Sequence, residues 1–400
     1  MEQNKIKVGI LPNQFLKMNG AFDLDEAIKL SGKIAGVCYD KEGFTHLENE
    51  PLQRTNRRIN MTLDNGHHSV YDHISISFNL QNIPKILAMV LNNEHQYTTS
   101  EKSARYTPVI KQTGSIITED EERLYNKWIE IFRIRIKEKY GYIYNDAKIQ
   151  KLAQENARYL ITVFMPTQMI YTTSLRQINY LASWMIQYIK TIDINNLFER
   201  KLAFYMNELL DELYRVNVLE ERLMQNDKYR SLSLFGSELD KYEEYFGNVY
   251  LTTYKGSLAQ LAQAQRHRTL DYQMEFLEDK EYFIPPIIVD EPLLVTEWLN
   301  DMEIVKGVTP QGELVRISES GKYADFILKC KERLCSAAQL EIMEQTKETL
   351  LRYKKFLERS HSPLATDIKK YSRGARCTFP DFNCSSDCKF KEGKILIRKI

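Results

Sequence analysis

Arg266-His267-Arg268 places three cationic or titratable side chains in a row at the end of a small-residue stretch, Gly256 to Gln265, that reads as a helix. Guanidinium forks match phosphate and carboxylate oxygens two at a time. At a helix C-terminus the same charge also complements the macrodipole. Far upstream, Glu101-Lys102-Ser103-Ala104-Arg105-Tyr106 gathers an acid, a hydroxyl and another guanidinium. That arrangement suits an anion site and equally suits the capping of a helix start. Arg158, in Glu155-Asn156-Ala157-Arg158-Tyr159, either pairs with Glu155 across one turn or clamps a ligand. His67, His68 and His73 read as loop or core histidines rather than metal ligands. Cys377, Cys384 and Cys388 are zinc candidates, but Cys-x6-Cys-x3-Cys departs from the tight pairs of common zinc modules. Plain thiols are the alternative.

The elements that must position these residues are mostly helical. Lys5 to Leu11 is a short β-type run, and Phe22 to Ala35 an amphipathic helix with Asp23 as cap and Glu26 three residues on. His73 to Phe78 alternates as a strand, and Pro84 opens a helix through Ile86, Leu87, Val90 and Leu91. Helical patterns follow at Glu119–Tyr140, Asp146–Tyr159, Ser174–Lys190 and Asn195–Arg215. Tyr250–Tyr254 is a strand, Thr309-Pro310-Gln311-Gly312 a turn before the hairpin strand Leu314–Ile317, and Tyr323–Leu357 one continuous helix. This mixture predicts an α+β fold. Strand, helix, polar signature and long helices occur around residues 73–190 and again around 249–358, so the chain looks doubled. The expected divisions are 1–225, 226–372 and a cysteine-bearing tail, 373–400.

Length and composition set outer bounds. The chain has 400 residues, 43% of them hydrophobic, which is ample for a large core. A net charge of +1 offers no global case for nucleic-acid or membrane binding. No apolar run spans a bilayer, and the first residues lack the apolar core of a signal peptide. Six cysteines make no disulfide scaffold and fit a reducing, cytoplasmic setting.

Together these motifs resemble the flavin-dependent thymidylate synthases. The family signature is Arg-His-Arg, seven residues, then Ser, beside Glu-x-Ser-x-Arg-Tyr, and here it is divided between the halves. The first half has Asn93-Glu94-His95 in place of Arg-His-Arg but keeps Glu101-x-Ser103-x-Arg105-Tyr106. The second keeps Arg266-His267-Arg268 but has Phe276 where the Ser belongs. His67 to His73 is similar to the family's flavin-contacting strand entry, and Arg158 to its Ala-Arg nucleotide arginine. Gln263 matches the nucleotide-contacting glutamine. Arg333, followed by Ala338-Gln339-Leu340-Glu341-Ile342, resembles the segment whose arginine contacts the uracil ring; the first half has Trp184 near that place. Ser174-Leu175-Arg176-Gln177-Ile178-Asn179 resembles the flavin-binding Asn-x-Arg-x-x-x-Asn, with Ser174 replacing the first Asn and Asn179 one residue early.

The resemblance implies two tandem copies of a synthase-like fold, long helices packed on small antiparallel sheets. It implies FAD as cofactor, with NADPH and methylenetetrahydrofolate as co-substrates, and reductive methylation of dUMP to dTMP. Arg333 and Arg266 would be catalytic. Gln263, Arg266, Glu101, Ser103, Arg105, Arg158 and Arg333 would bind the nucleotide. Ser69, Asp72, His267, Arg268, Arg176 and Asn179 would bind flavin. One composite site would form where a first half meets a second, its mirror-related copy being dead, in a homodimer mimicking the family's tetramer. The partner is then a small nucleotide, with no nucleic acid or membrane. Two alternatives stand: modification of another pyrimidine nucleotide, and a silent nucleotide-binding homologue.

Overall fold

The computed structural model describes residues 5–102, 117–225, 230–382, 384, 388, 390 and 394–400. In chain order its strands are β1 (Lys7–Ile10), β2 (Ser75–Pro84), β3 (Thr98–Glu101), β4 (Pro166–Ser174), β5 (Tyr245–Phe246), β6 (Val249–Ser257), β7 (Asp271–Phe276) and β8 (Leu314–Lys322). Its longer helices are α1 (Leu24–Ile34), α2 (Leu52–Asp64), α3 (Lys85–Leu91), α4 (Glu119–Tyr140), α5 (Asp146–Ala157), α6 (Leu175–Thr191), α7 (Leu197–Arg215), α8 (Leu258–Ala264), α9 (Pro292–Ile304), α10 (Tyr323–Arg333) and α11 (Leu340–Arg359). The class is α+β, as the sequence predicts. Among the described residues no helix is long and apolar enough to cross a membrane. The chain divides into two compact units: unit 1 from the described residues of Met1–Lys102 and Pro166–Leu232, unit 2 from those of Ser103–Met165 and Ser233–Ile400.

In unit 1 an antiparallel sheet runs β1-β2-β4-β3. Ile76, Phe78 and Leu80 alternate inward along β2 and are buried, the period-2 pattern read from the sequence. The β2–β4 register slips between Gln81 and Ile83, where Asn82 takes a left-handed φ of 57°. The open edge of β1 is closed by α7: Val8 N donates to Glu212 at 2.8 Å and Arg215 donates to Val8 O at 2.5 Å. Side chains that occupy an edge in this way keep it from pairing with another chain. Asp23 caps α1, accepting from Glu26 N at 3.4 Å. Ser174 caps α6, accepting from Gln177 N at 3.1 Å.

The sheet of unit 2 runs β5-β6-β8-β7, the same order of first, second, fourth and third strands. In both sheets a seven-residue helix follows the second strand, α3 or α8, and a longer one follows the fourth, α6 or α10.

Three boundaries differ from expectation. First, α4 and α5 belong to unit 2 rather than to the first half. Their apolar faces find partners there: Trp128 meets Trp298 of α9 edge-on at 4.9 Å, and Phe132 packs on the same ring. Trp128 Nε1 also donates to Asp301 at 2.7 Å. Second, Tyr323–Leu357 is not one helix but α10 and α11. The carbonyls freed between them are taken by the tail, Arg376 N donating to Leu334 O and Arg398 to Ala338 O, both at 2.7 Å. Those tail arginines also make the third difference: the described part of 373–400 packs within unit 2, with Arg398 buried.

Candidate functional site

In unit 2, β6 hands the chain directly to α8. A Cβ at Gly256 would run into the end of the Gln260 side chain, which packs against the bare glycine. Ser257 caps the helix, its Oγ accepting from Gln260 N at 3.0 Å. The helix ends at Ala264, and the Arg-His-Arg triplet follows it. Arg266 and Arg268 are exposed, while His267 turns inward and is buried.

His267 meets Arg333, the last residue of α10. Arg333 Nε donates to His267 Nε2 at 2.6 Å and its Nη2 to Gln263 O at 3.3 Å. Because Nε2 accepts, the ring's proton is assigned to Nδ1, which lies 3.3 Å from Glu332. Burial, then the positive charges of Arg333 and Lys329, lower the His267 pKa to about 2. The imidazole is therefore neutral at ordinary pH and meets the arginine as a hydrogen-bond acceptor. Three residues that the sequence grouped for nucleotide or flavin contact are thus brought together by α8 and α10.

One helical turn before Arg333, Lys329 lies wholly buried against Glu319 at 2.5 Å. Tyr250 and Tyr254 donate to the same carboxylate at 2.7 and 2.9 Å. The sequence reading passed over this network. Its one signal was an acid at an inward position of β8, after Val315 and Ile317.

Arg158 lies in unit 2 as well, 4% exposed, with buried Nε and Nη2 atoms that have no hydrogen-bond partner. Next to it, Tyr159 donates to Glu341 at 3.0 Å. Glu341 also accepts from Ser257 N at 2.8 Å and Ser257 Oγ at 2.6 Å. Burial pushes the Glu341 carboxyl up to about 7, against the pull of Ser257, Tyr159 and Arg158. Unpartnered guanidinium donors inside a protein are costly, and these two can donate to an anion.

Unit 1 carries the other expected set. Asp72 accepts from Ser174 Oγ and from Arg176 Nη1, both at 2.7 Å. The Arg176 guanidinium lies 5.0 Å from the Tyr180 ring centre, and its Nε is buried without a hydrogen-bond partner. These residues line a groove of about 490 Å³, shared with His95, Tyr97 and Gln177. Ser69 is exposed on the 3₁₀ turn His68–His73, and His68 is a core histidine bonded to Tyr180 and Leu63 O.

Several expected residues are engaged elsewhere. Asn179 is fully buried and spends its amide on backbone: Nδ2 donates to Leu175 O and Val218 O, and Oδ1 accepts from Glu220 N. It holds the loop that carries Val218 and Glu220. Glu101 ends β3, so the helix-capping alternative fails for it; it pairs with Lys85 at 2.6 Å. Ser103 and Arg105 lie outside the described residues. Cys377, Cys384 and Cys388 are all exposed, and among the described residues no group of three His, Cys, Asp or Glu is placed to hold a metal ion.

Comparison with known proteins adds the following. Residues 23–199 match the family of the thymidylate synthase complementing protein. No curated protein matches the chain in sequence. Among solved structures, the UMP/dUMP methylase PolB from Streptomyces cacaoi, bound with 5-Br dUMP, is 16% identical with a TM-score of 0.34; the match covers 55% of this chain and 94% of that one. Thymidylate synthase X from Helicobacter pylori, with FAD and dUMP, is 14% identical with a TM-score of 0.31, over 55% of this chain and 100% of that one. The matched segment holds Asp72, Glu101, Arg158 and Arg176, four of the residues singled out above. Over residues 23–199, less than half of its length, this chain is thus similar to the thymidylate synthase complementing protein family.

Proposed function

We propose that the protein methylates a pyrimidine nucleotide reductively, converting dUMP to dTMP in the manner of the flavin-dependent thymidylate synthases. The family match across 23–199 carries this reading. The repeated strand order of the two sheets supports a duplicated synthase fold, and with it a homodimer standing in for a tetramer.

Nucleotide binding falls to Arg158, Gln263, Arg266 and Arg333, with Glu101, Ser103 and Arg105 as the further expected contributors. Arg158 offers two unpartnered donors to phosphate oxygens. Arg333 is held beside a neutral His267 and can stabilise negative charge developing on a uracil carbonyl. FAD suits the groove of unit 1, where the orphaned Nε of Arg176, the Ser174 hydroxyl and the Tyr180 ring stand together beside Asp72; Ser69 is the further candidate there. The remaining flavin candidates of the signature are Arg268, exposed, and His267, whose ring instead orients Arg333. When bound, flavin would relay two electrons from NADPH to the methylene carbon taken from methylenetetrahydrofolate, which ends as a methyl group on C5 as the C5 proton leaves. The protein's own share is to bind, orient and polarise.

A silent nucleotide-binding homologue is the second reading. It is favoured by Asn179, whose amide is consumed by backbone, and by the two bonds that already hold Arg333. The absorption spectrum of the purified, flavin-reconstituted protein separates the two. A yellow protein whose spectrum shifts with dUMP, and which forms dTMP in a complete assay, is the expected result. A protein that takes up no flavin yet binds dUMP establishes the silent reading. A yellow protein that forms a different modified nucleotide moves the substrate to another pyrimidine.

A further inference from the structure

The two units share a strand order, yet differ where their signatures should coincide. Glu94 stands three residues past Leu91, the end of α3, and His267 three residues past Ala264, the end of α8. By position in the fold Glu94 therefore takes the place of His267. In the helix after the fourth strand, Trp184 of α6 lies nearly level with Arg333 of α10. Unit 1 has thus lost both the imidazole and the arginine that meet in unit 2.

A guanidinium nevertheless lies there. Arg230 Nη2 is 2.7 Å from Glu94 Oε2, and the guanidinium carbon is 3.7 Å from the centre of the Trp184 ring. Glu94 is wholly buried and Trp184 is 4% exposed. Gln177 of α6 fixes the same turn, its Nε2 donating to Glu94 O at 3.2 Å. A buried carboxylate on one side and an indole face on the other satisfy both faces of a guanidinium's chemistry, charge and π-stacking.

We propose that Glu94 and Trp184 form a guanidinium-binding site in unit 1 and that Arg230 of the same chain is its resident occupant, closing this unit's counterpart of the nucleotide pocket. In unit 2 the arginine that meets the turn after the short helix comes from the neighbouring helix and keeps its place beside a neutral ring. In unit 1 it comes from the segment that follows the last helices of the unit, and it neutralises a carboxylate. Charge spent on Glu94 is not available to a nucleotide's anionic groups, and the indole face covered by Arg230 cannot stack on a base. The chain would then bind one nucleotide, in unit 2. The closure, though not the guanidinium site itself, rests on the function proposed above.

The test uses the full chain with Arg230→Ala. Trp184 is the unit 1 tryptophan, and subtracting a Trp184→Phe protein removes the emission of Trp128 and Trp298. Arg230→Ala should alter Trp184 emission. Guanidinium chloride, added at millimolar, non-denaturing concentration, should return it saturably toward the wild-type value, where sodium chloride of equal ionic strength does not. Adding Glu94→Gln should abolish the saturable part. Emission unchanged by Arg230→Ala, or a response to guanidinium no different from that to sodium, overturns the proposal. Calorimetry with dUMP tests the closure: two nucleotides bound per wild-type chain refute it, whereas one in wild type and two in Arg230→Ala support it. If neither protein binds dUMP, the proposed function and the closure fall together, and the fluorescence still decides the guanidinium site.

Discussion

Replacing Lys329 by methionine should cost this protein a large part of its stability. Lys329 and Glu319 are both fully buried and 2.5 Å apart. At an effective dielectric near 20 their attraction is about 7 kcal/mol. Desolvating each ion costs several kcal/mol in return, so the pair is close to neutral against a well-packed apolar pair. Lys329→Met removes the attraction and the lysine's own desolvation cost, but leaves that of Glu319. The Glu319 carboxylate stays in the interior with the hydroxyls of Tyr250 and Tyr254 as donors. The expected loss is about 3–5 kcal/mol. At a urea m-value of about 2 kcal/mol/M, that moves the unfolding midpoint down by about 2 M. Emission of Trp128 and Trp298, both buried in unit 2, reports the transition. Adding Glu319→Gln removes the stranded charge while keeping an acceptor for a tyrosine, and should recover most of the loss. The double-mutant cycle therefore carries a coupling of several kcal/mol. A loss below about 1 kcal/mol for Lys329→Met alone, or no recovery in the double variant, would refute the reasoning; either would mean that water or another cation already serves Glu319.

Three further outcomes follow from the site. Glu341 has its carboxyl raised from an unfolded value of 4.5 to about 7, so its protonated form favours the fold; about 3 kcal/mol of stability is present below pH 4.5 and lost as pH rises through 7. Unfolding free energies measured from pH 4 to 8 should show that decline in the wild type and a flatter profile in Glu341→Gln. Arg158→Met should leave stability unchanged or raised, since it removes donors with no partner, while calorimetry shows dUMP binding weakened by about ten- to a hundredfold, the worth of a charged hydrogen bond. Asn179→Ala should cost about 2–4 kcal/mol in denaturant titration, because it strands two backbone groups, Val218 O and Glu220 N, with flavin content by absorbance unchanged.

Local patterns in the sequence were sufficient where short-range physics decides. The cap at Asp23, the alternating strand around Phe78, the helices α4 to α7 and the chain turn at Arg266-His267-Arg268 all follow from spacing and side-chain type. Among the strands not read, β7 carries its own period-2 alternation in Asp271-Tyr272-Gln273-Met274-Glu275-Phe276 and was legible, whereas the polar run of β3 becomes a strand through its pairing with β4. The break between α10 and α11 was also hidden, since arginines of the distant tail satisfy the carbonyls that a continuous helix would have used.

Arg266-His267-Arg268 shows how the site divides between the two levels. Residue type and order identified it, together with Gln263, Arg158 and Arg333, as chemistry worth positioning, and the sequence alone is enough for that. Only the tertiary structure decided that His267 turns inward to hold Arg333, that Asn179 is spent on a loop, and that Glu94 draws in Arg230. The reason is physical: charge and hydrogen-bonding capacity are properties of a residue, whereas burial and the partner that consumes them belong to the packing of segments remote in the chain.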